Sequence, residues 1–256
     1  MGRVSAIEWT EATWNPWHGC EKVSPGCAHC YMYREKRQYG QDPTTIVRSK
    51  TTFEAPLKWT NSKLIFTCSW SDFFIEEADA WREEAWQIVR KAPQHVFQIL
   101  TKRPERILTN LPSGWPWPNV WLGVSVENPR FYWRIETLRT IPSSLRFLSI
   151  EPLLAPMPNL PLAGISWVVV GGESGPRCRP MEASWVTDIR DRCLAEGVPF
   201  FFKQWGGIRK DVRGRLLDGR VWDEMPWPAP TTTRDNAKTA PDTKRVGSQQ
   251  NEARNS

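Results

Sequence analysis

Three of the six cysteines, Cys20, Cys27 and Cys30, and two of the three histidines, His18 and His29, fall in the single stretch Trp14–Tyr31. Two residues separate Cys27 from Cys30, and Cys20 stands earlier, across a Ser24-Pro25-Gly26 turn. Thiolates bind zinc or iron–sulfur clusters, and ligand number and geometry separate the two. A structural zinc is closed by four ligands, commonly as two pairs on two turns. Here one CxxC pair and one outlying thiol have no second CxxC or HxxxH to complete them. Three thiolates without a fourth protein ligand suit a [4Fe-4S] cluster that leaves one iron open to a small molecule, and that is the expectation for Cys20, Cys27 and Cys30. Zinc closed by His18 or His29 is the alternative, and a loop without metal the third reading.

Such a loop needs a scaffold, and the remaining chain alternates between strand-like and helix-like stretches. Residues 6–14 read as a first strand leading into the cysteines, and residues 31–39 as a helix stopped at Gly40. Strands are then expected at 64–69, 96–101, 120–126, 146–150, 167–170 and 198–202. Helices are expected at 76–92, from Pro104, after the Asn128-Pro129 cap, and from a Ser184 cap to Gly197. A Pro-rich connector, 152–161, stands where a further helix would fit. This rhythm means parallel β/α units. Seven strands suit a complete or partial parallel β/α (TIM-like) barrel, with a doubly wound open sheet as the runner-up.

Polar residues gather where these strands end: Ser69 to Asp72, Thr101 to Arg103, Ser125 to Asn128, Ser149 to Glu151, Gly171 to Ser174 and Lys203 to Trp205. In a β/α barrel those ends share the face that carries the active site, and the cysteine loop would open onto it. Ser71, Asp72, Lys102, Gly171, Gly172 and Glu173 are therefore candidate cofactor contacts, the glycines because they let backbone approach a ligand. Glu127 and Glu151 are a candidate carboxylate pair for acid–base work, and Lys203, at the end of a very apolar strand, must reach a partner or water and is the third candidate catalytic residue. The plain alternatives are a helix cap for Asp72, a solvated helix start for Arg103 and Arg106, and a surface carboxylate for Glu173. Cys68 and Cys178, near strand ends, are either thiol hydrogen donors or small hydrophobes, and Cys193 is core.

The chain has 256 residues, a formal charge of +6 and 16 tryptophans. That length suits one large domain, residues 1–228, followed by a polar tail, 229–256, too poor in apolar residues to offset its ordering entropy and expected to be disordered. A basic, Trp-rich chain suits contact with nucleic acid or a nucleotide, although core packing explains tryptophan equally well. No run of eighteen apolar residues and no apolar signal core are present, so neither a membrane span nor secretion is expected. Cysteines scattered outside the loop argue for reduced thiols in a cytoplasmic protein.

Taken together, Trp9-Thr10, Trp14-Asn15-Pro16, Gly19-Cys20, Ser24-Pro25-Gly26-Cys27, Cys30-Tyr31, Ser71-Asp72, Leu100-Thr101-Lys102-Arg103-Pro104, Gly123-Val124-Ser125-Val126-Glu127, Glu151-Pro152-Leu153, Gly171-Gly172-Glu173-Ser174-Gly175-Pro176, Arg179-Pro180 and Phe202-Lys203-Gln204-Trp205-Gly206 resemble an uncharacterised, phage-associated family of three-cysteine proteins of the DUF5131 type. That family in turn resembles the radical S-adenosylmethionine superfamily. The second resemblance implies a partial β/α barrel and a four-iron cluster on Cys20, Cys27 and Cys30. It also implies S-adenosylmethionine chelated by the open iron, an external electron donor, and hydrogen abstraction from substrate by a 5′-deoxyadenosyl radical. This chain departs from the superfamily in having six rather than three residues between its first two cysteines, and His29 where an aromatic usually precedes the third.

Overall fold

The structure, a computed structural model, describes residues 5–208 and 214–226. Seven short apolar runs form one parallel sheet: β1 (Ala12–Trp14), β2 (Leu64–Thr67), β3 (Val96–Thr101), β4 (Val120–Ser125), β5 (Leu145–Ile150), β6 (Trp167–Gly171) and β7 (Phe200–Gln204). Each strand pairs with the next in sequence, with no reversal of order. A doubly wound sheet needs such a reversal, so the runner-up topology does not occur. The sheet curls into a half-barrel. Among the described residues four helices accompany it: α1 (Tyr31–Gln38), α2 (Asp79–Lys91), α3 (Tyr132–Arg139) and α4 (Ala183–Ala195).

The two-residue period of the strands sorts their side chains into two cores. On the helix-covered face, Ile65, Phe97, Ile99, Leu122, Val124, Leu148, Val168, Val170, Phe200 and Phe202 join Trp86, Val89, Ile135, Leu138, Val186 and Ile189. On the concave face, Leu64, Trp121, Leu145, Phe147, Trp167, Val169 and Phe201 form a separate cluster around Trp9. Gly123 belongs there because a Cβ would stand 2.5 Å from the Phe147 ring. The concave residues one step nearer the strand ends are Leu100, Ser125, Ser149, Gly171 and Lys203. The half-barrel is thus plugged by aromatics at one end and polar at the other.

Residues 6–14 do not form the single strand expected of them. Ser5 N donates to Glu11 O and Thr10 N to Ile7 O, a turn that lifts Trp9 out of strand register and into the concave face. Its ring lies 4.7 Å from Phe66, 6.3 Å from Phe147 and 6.0 Å from Trp167. Trp9→Ala would open a cavity where three strands meet and is expected to cost about 3–5 kcal/mol, read as a lower urea midpoint. Two further corrections are local. The stretch from Pro104 is a 3-10 turn rather than a helix, and α4 is capped at Glu182, not Ser184. The Pro-rich connector makes no helix, yet Leu153, Met157, Leu160 and Leu162 bury themselves where one would have packed. The expected tail, 229–256, lies outside the described residues.

The tryptophans are largely committed to packing. Trp14, Trp17, Trp86 and Trp167 are fully buried, and Trp9, Trp121 and Trp222 nearly so. No helix among the described residues is long and apolar enough to cross a membrane.

Candidate functional site

The cysteine loop lies across the C-terminal ends of the strands, and side chains from successive ends clasp it. After β2, Ser71 Oγ donates to Gly19 O at 2.6 Å, and Trp70 O accepts from Gly19 N at 3.0 Å. Gly19 has a φ of +100° and leaves no room for a Cβ, which would stand 2.2 Å from Thr45 O. After β3, Arg103 donates to Glu21 O at 3.2 Å. After β4, Glu127 accepts from Ser24 Oγ, and its carboxylate fills the space beside Gly26, where a Cβ would stand 2.4 Å from Oε1. After β6, Glu173 accepts from His29 Nδ1 at 3.0 Å, and Arg179 donates to Pro25 O at 2.9 Å. Tyr31 and Tyr33 complete the fastening through the carbonyls of Ser69 and Cys20.

Each strand-end carboxylate has its own cation. Glu127, fully buried, lies 3.2 Å from Arg134 and 3.4 Å from Lys102. Asp72 accepts from Thr101 Oγ1 at 2.6 Å, Phe74 N at 2.9 Å and Lys102 N at 2.9 Å, with the Arg103 guanidinium 3.3 Å away. Glu151 pairs with Lys203 at 3.0 Å. It also occupies the space that a side chain at Gly171 would need, with Oε1 2.6 Å from the Cβ position. Glu173 takes the backbone N–H and Nε of Arg179, both at 2.9 Å. Burial works against its ionisation, but the hydrogen bonds from Arg179 and His29 outweigh it and hold the carboxyl at about 2.

The Glu173 shift sets a pH dependence. A carboxyl that titrates lower in the folded state than its ordinary value of 4.5 contributes stability in full above that value. The contribution is lost as pH falls from about 4.5 through about 2. Arg179→Met is expected to flatten this part of a stability–pH curve while lowering its plateau, as denaturant midpoints taken across that range would show.

Between the loop and the strand ends is a cavity of about 620 Å³. Of the candidate residues, Cys27, Cys30, Lys102, Glu151, Gly172, Glu173 and Lys203 line it, with Arg34, Ser125, Ser149 and Gln204 beside them and Trp9, Phe66 and Leu100 below. Cys20, Ser71, Asp72, Glu127 and Gly171 are not in its lining. Their polar groups, where described, face the loop or their own partners. Glu127 and Glu151 thus have different surroundings, one sealed under the loop and one at the cavity wall.

All six cysteines are free thiols. Burial, followed by the nearby Asp72 charge, pushes Cys20 up to about 12, and burial raises Cys30. Both would stay protonated at neutral pH unless a bound cation displaced the proton. Among the described residues, no three His, Cys, Asp or Glu side chains are gathered into a ready-made metal cage. The donor chemistry nonetheless fits a thiolate-bound group. Cys27 and Cys30 line one cavity, Cys20 and Cys30 each sense the charge of Cys27, and the cations Lys102 and Arg103 stand near by. His29 is engaged by Glu173, whereas His18 lies on a two-residue ladder pairing Trp17–His18 with Val47–Arg48.

Sequence reasoning assigned no role to Ser24, Arg134 or Arg179, each of which fixes a carboxylate. Arg134 sits on α3 between Phe131 and Ile135, so helical spacing places it on the buried side. A buried arginine implies an acidic partner, which is the signal that was there to be read.

A family model described as a protein of unknown function, DUF5131, matches residues 4–226. No curated protein and no solved structure matches the chain. The chain belongs to the DUF5131 family.

Proposed function

We propose that this protein is an iron–sulfur enzyme of the radical S-adenosylmethionine type, acting on a nucleic-acid base or nucleotide-like substrate in the cytoplasm. One observation carries the reading: a three-thiol loop is clasped over the strand ends so that Cys27 and Cys30 share a cavity with Lys102, Glu151, Glu173 and Lys203. A structural staple would not need a polar cavity beneath it.

In this reading Cys20, Cys27 and Cys30 hold a [4Fe-4S] cluster. When bound, the cluster would pass an electron from an external donor to the sulfonium of S-adenosylmethionine. The chain's own residues supply the surroundings. Lys203, 3.0 Å from Glu151, offers a cation to a carboxylate or phosphate, while Glu151 accepts from an amine or hydroxyl. Gly172 keeps backbone accessible at the cavity edge, where a side chain would collide with Trp205 O at 2.2 Å. Glu173 stays ionised and holds His29, and with it the CxxC turn. Trp9, Phe66 and Leu100 close the cavity floor, which keeps water from a reactive centre.

Anaerobic reconstitution with iron and sulfide tests this directly. The expected result is a brown protein whose reduced EPR signal changes when S-adenosylmethionine is added. A brown protein blind to S-adenosylmethionine would point to electron transfer. A colourless protein holding one zinc would overturn the reading in favour of a non-catalytic nucleic-acid-binding protein with a structural metal.

A further inference from the structure

We propose that Arg103 is a positioning residue that sets the reduction potential of the group held by the cysteine loop, by presenting a fixed buried cation beside Cys20. The inference rests on the iron–sulfur reading and goes beyond it, because it concerns a residue outside the ligand set and outside the cavity lined by Cys27 and Cys30.

The geometry converges on one peptide carbonyl. Arg103 donates through one terminal nitrogen to Glu21 O at 3.2 Å, and the Cys20 thiol lies 3.4 Å from the same oxygen. The other terminal nitrogen stands 3.3 Å from Asp72, whose remaining oxygen is occupied by Thr101 and Phe74. Arg103 is 8 % exposed, so this charge is poorly screened by solvent.

Charge balance points the same way. Under the loop, the cations Lys102, Arg103 and Arg134 face the buried carboxylates Asp72 and Glu127, which leaves one cation in excess. A four-iron cluster on three thiolates is an anion, and reduction adds another negative charge. Cluster potentials respond to net charge, to hydrogen bonds at the sulfurs and to solvent exposure. Arg103 supplies a fixed positive charge beside Cys20 and holds the carbonyl that the Cys20 thiol meets. Lysine cannot reproduce it, since a single ammonium cannot reach Asp72 and the Glu21 carbonyl with the guanidinium's planar fork. The far side of Arg103 borders a second cavity of about 340 Å³ that also contains Glu21 and Val23, so a smaller side chain there meets open space rather than packed core.

The test is an EPR-monitored redox titration of the reconstituted full chain and of Arg103→Gln and Arg103→Lys, with iron and labile sulfide measured on each. Arg103→Gln is expected to keep its cluster but to be harder to reduce. At the wild-type midpoint its reduced-to-oxidised ratio should fall at least tenfold, a shift of about 59 mV for one electron. Arg103→Lys should fall between the two. Should the Gln variant fail to fold, the Lys variant decides alone: a midpoint below wild type supports the proposal, and an unchanged one overturns it. Full cluster content with an unchanged midpoint in the Gln variant also overturns it. A wild-type chain that takes up no iron instead removes the reading on which the proposal rests.

Discussion

Glu127→Ala is expected to lower stability by about 3–5 kcal/mol and to loosen the cysteine loop at the same time. The carboxylate is fully buried, and its loss would strand Arg134, itself 1 % exposed, without the anion that compensates it. Breaking a buried pair from one side is costly because the remaining charge stays desolvated. The same substitution removes the acceptor for Ser24 Oγ and empties the space against which Gly26 is packed. Denaturant unfolding measures the first effect, and faster proteolytic cleavage within residues 19–29 measures the second. Glu127→Gln separates them: it keeps the shape and can still accept from Ser24, so the loop should stay protected while stability falls. Removing both charges in Glu127→Ala/Arg134→Met should cost less than the sum of the single changes, since no unpaired ion remains. Equal additivity would mean that the two side chains are not coupled as their 3.2 Å separation implies.

The loop and its clasps explain how much of this arrangement was legible in the chain. Strand positions were readable wherever an apolar run was bounded by polar residues. Val96–Thr101 has its expected limits, and β4, β5 and β6 differ from theirs by a residue. Sequential parallel order followed from the β/α rhythm, and with it the face on which Asp72, Lys102, Glu127, Glu151, Glu173 and Lys203 gather. What those residues do there was not legible, because it depends on partners distant in sequence. Ser71 reads as a ligand contact until Gly19 O is seen at 2.6 Å, and Asp72 until Thr101, Phe74 and Lys102 are seen to fill its oxygens. Trp9 was misread for a local reason. Its neighbours have strand propensity, but the turn closed by Thr10 and the hydrophobic space inside the half-barrel outweigh it.

The loop's chemistry is separable from its support, and Cys27→Ala should show it. The substitution is expected to reduce bound iron to background after reconstitution while shifting stability by no more than about 1 kcal/mol. Cys27 is partly exposed, and its thiol meets Ser24 Oγ at 3.6 Å, which is a weak hydrogen bond for sulfur. The turn that carries it is held by backbone instead, through Cys27 N to Ser24 O at 2.9 Å and Ala28 N to Pro25 O at 3.1 Å, and alanine keeps both bonds. Cys193→Ala is the counterpart. That thiol is completely buried on α4 among the outer-face hydrophobics, so its removal should lower the denaturant midpoint and leave iron content untouched. Iron and labile sulfide per chain, measured beside urea midpoints for both variants, give the crossed result. Undiminished iron in Cys27→Ala would exclude that thiol as a ligand and leave the loop as a fastening over the cavity. A midpoint that falls in Cys27→Ala as far as in Cys193→Ala would instead mean that the thiol supports the turn, and loss of iron would then carry no weight as evidence of ligation.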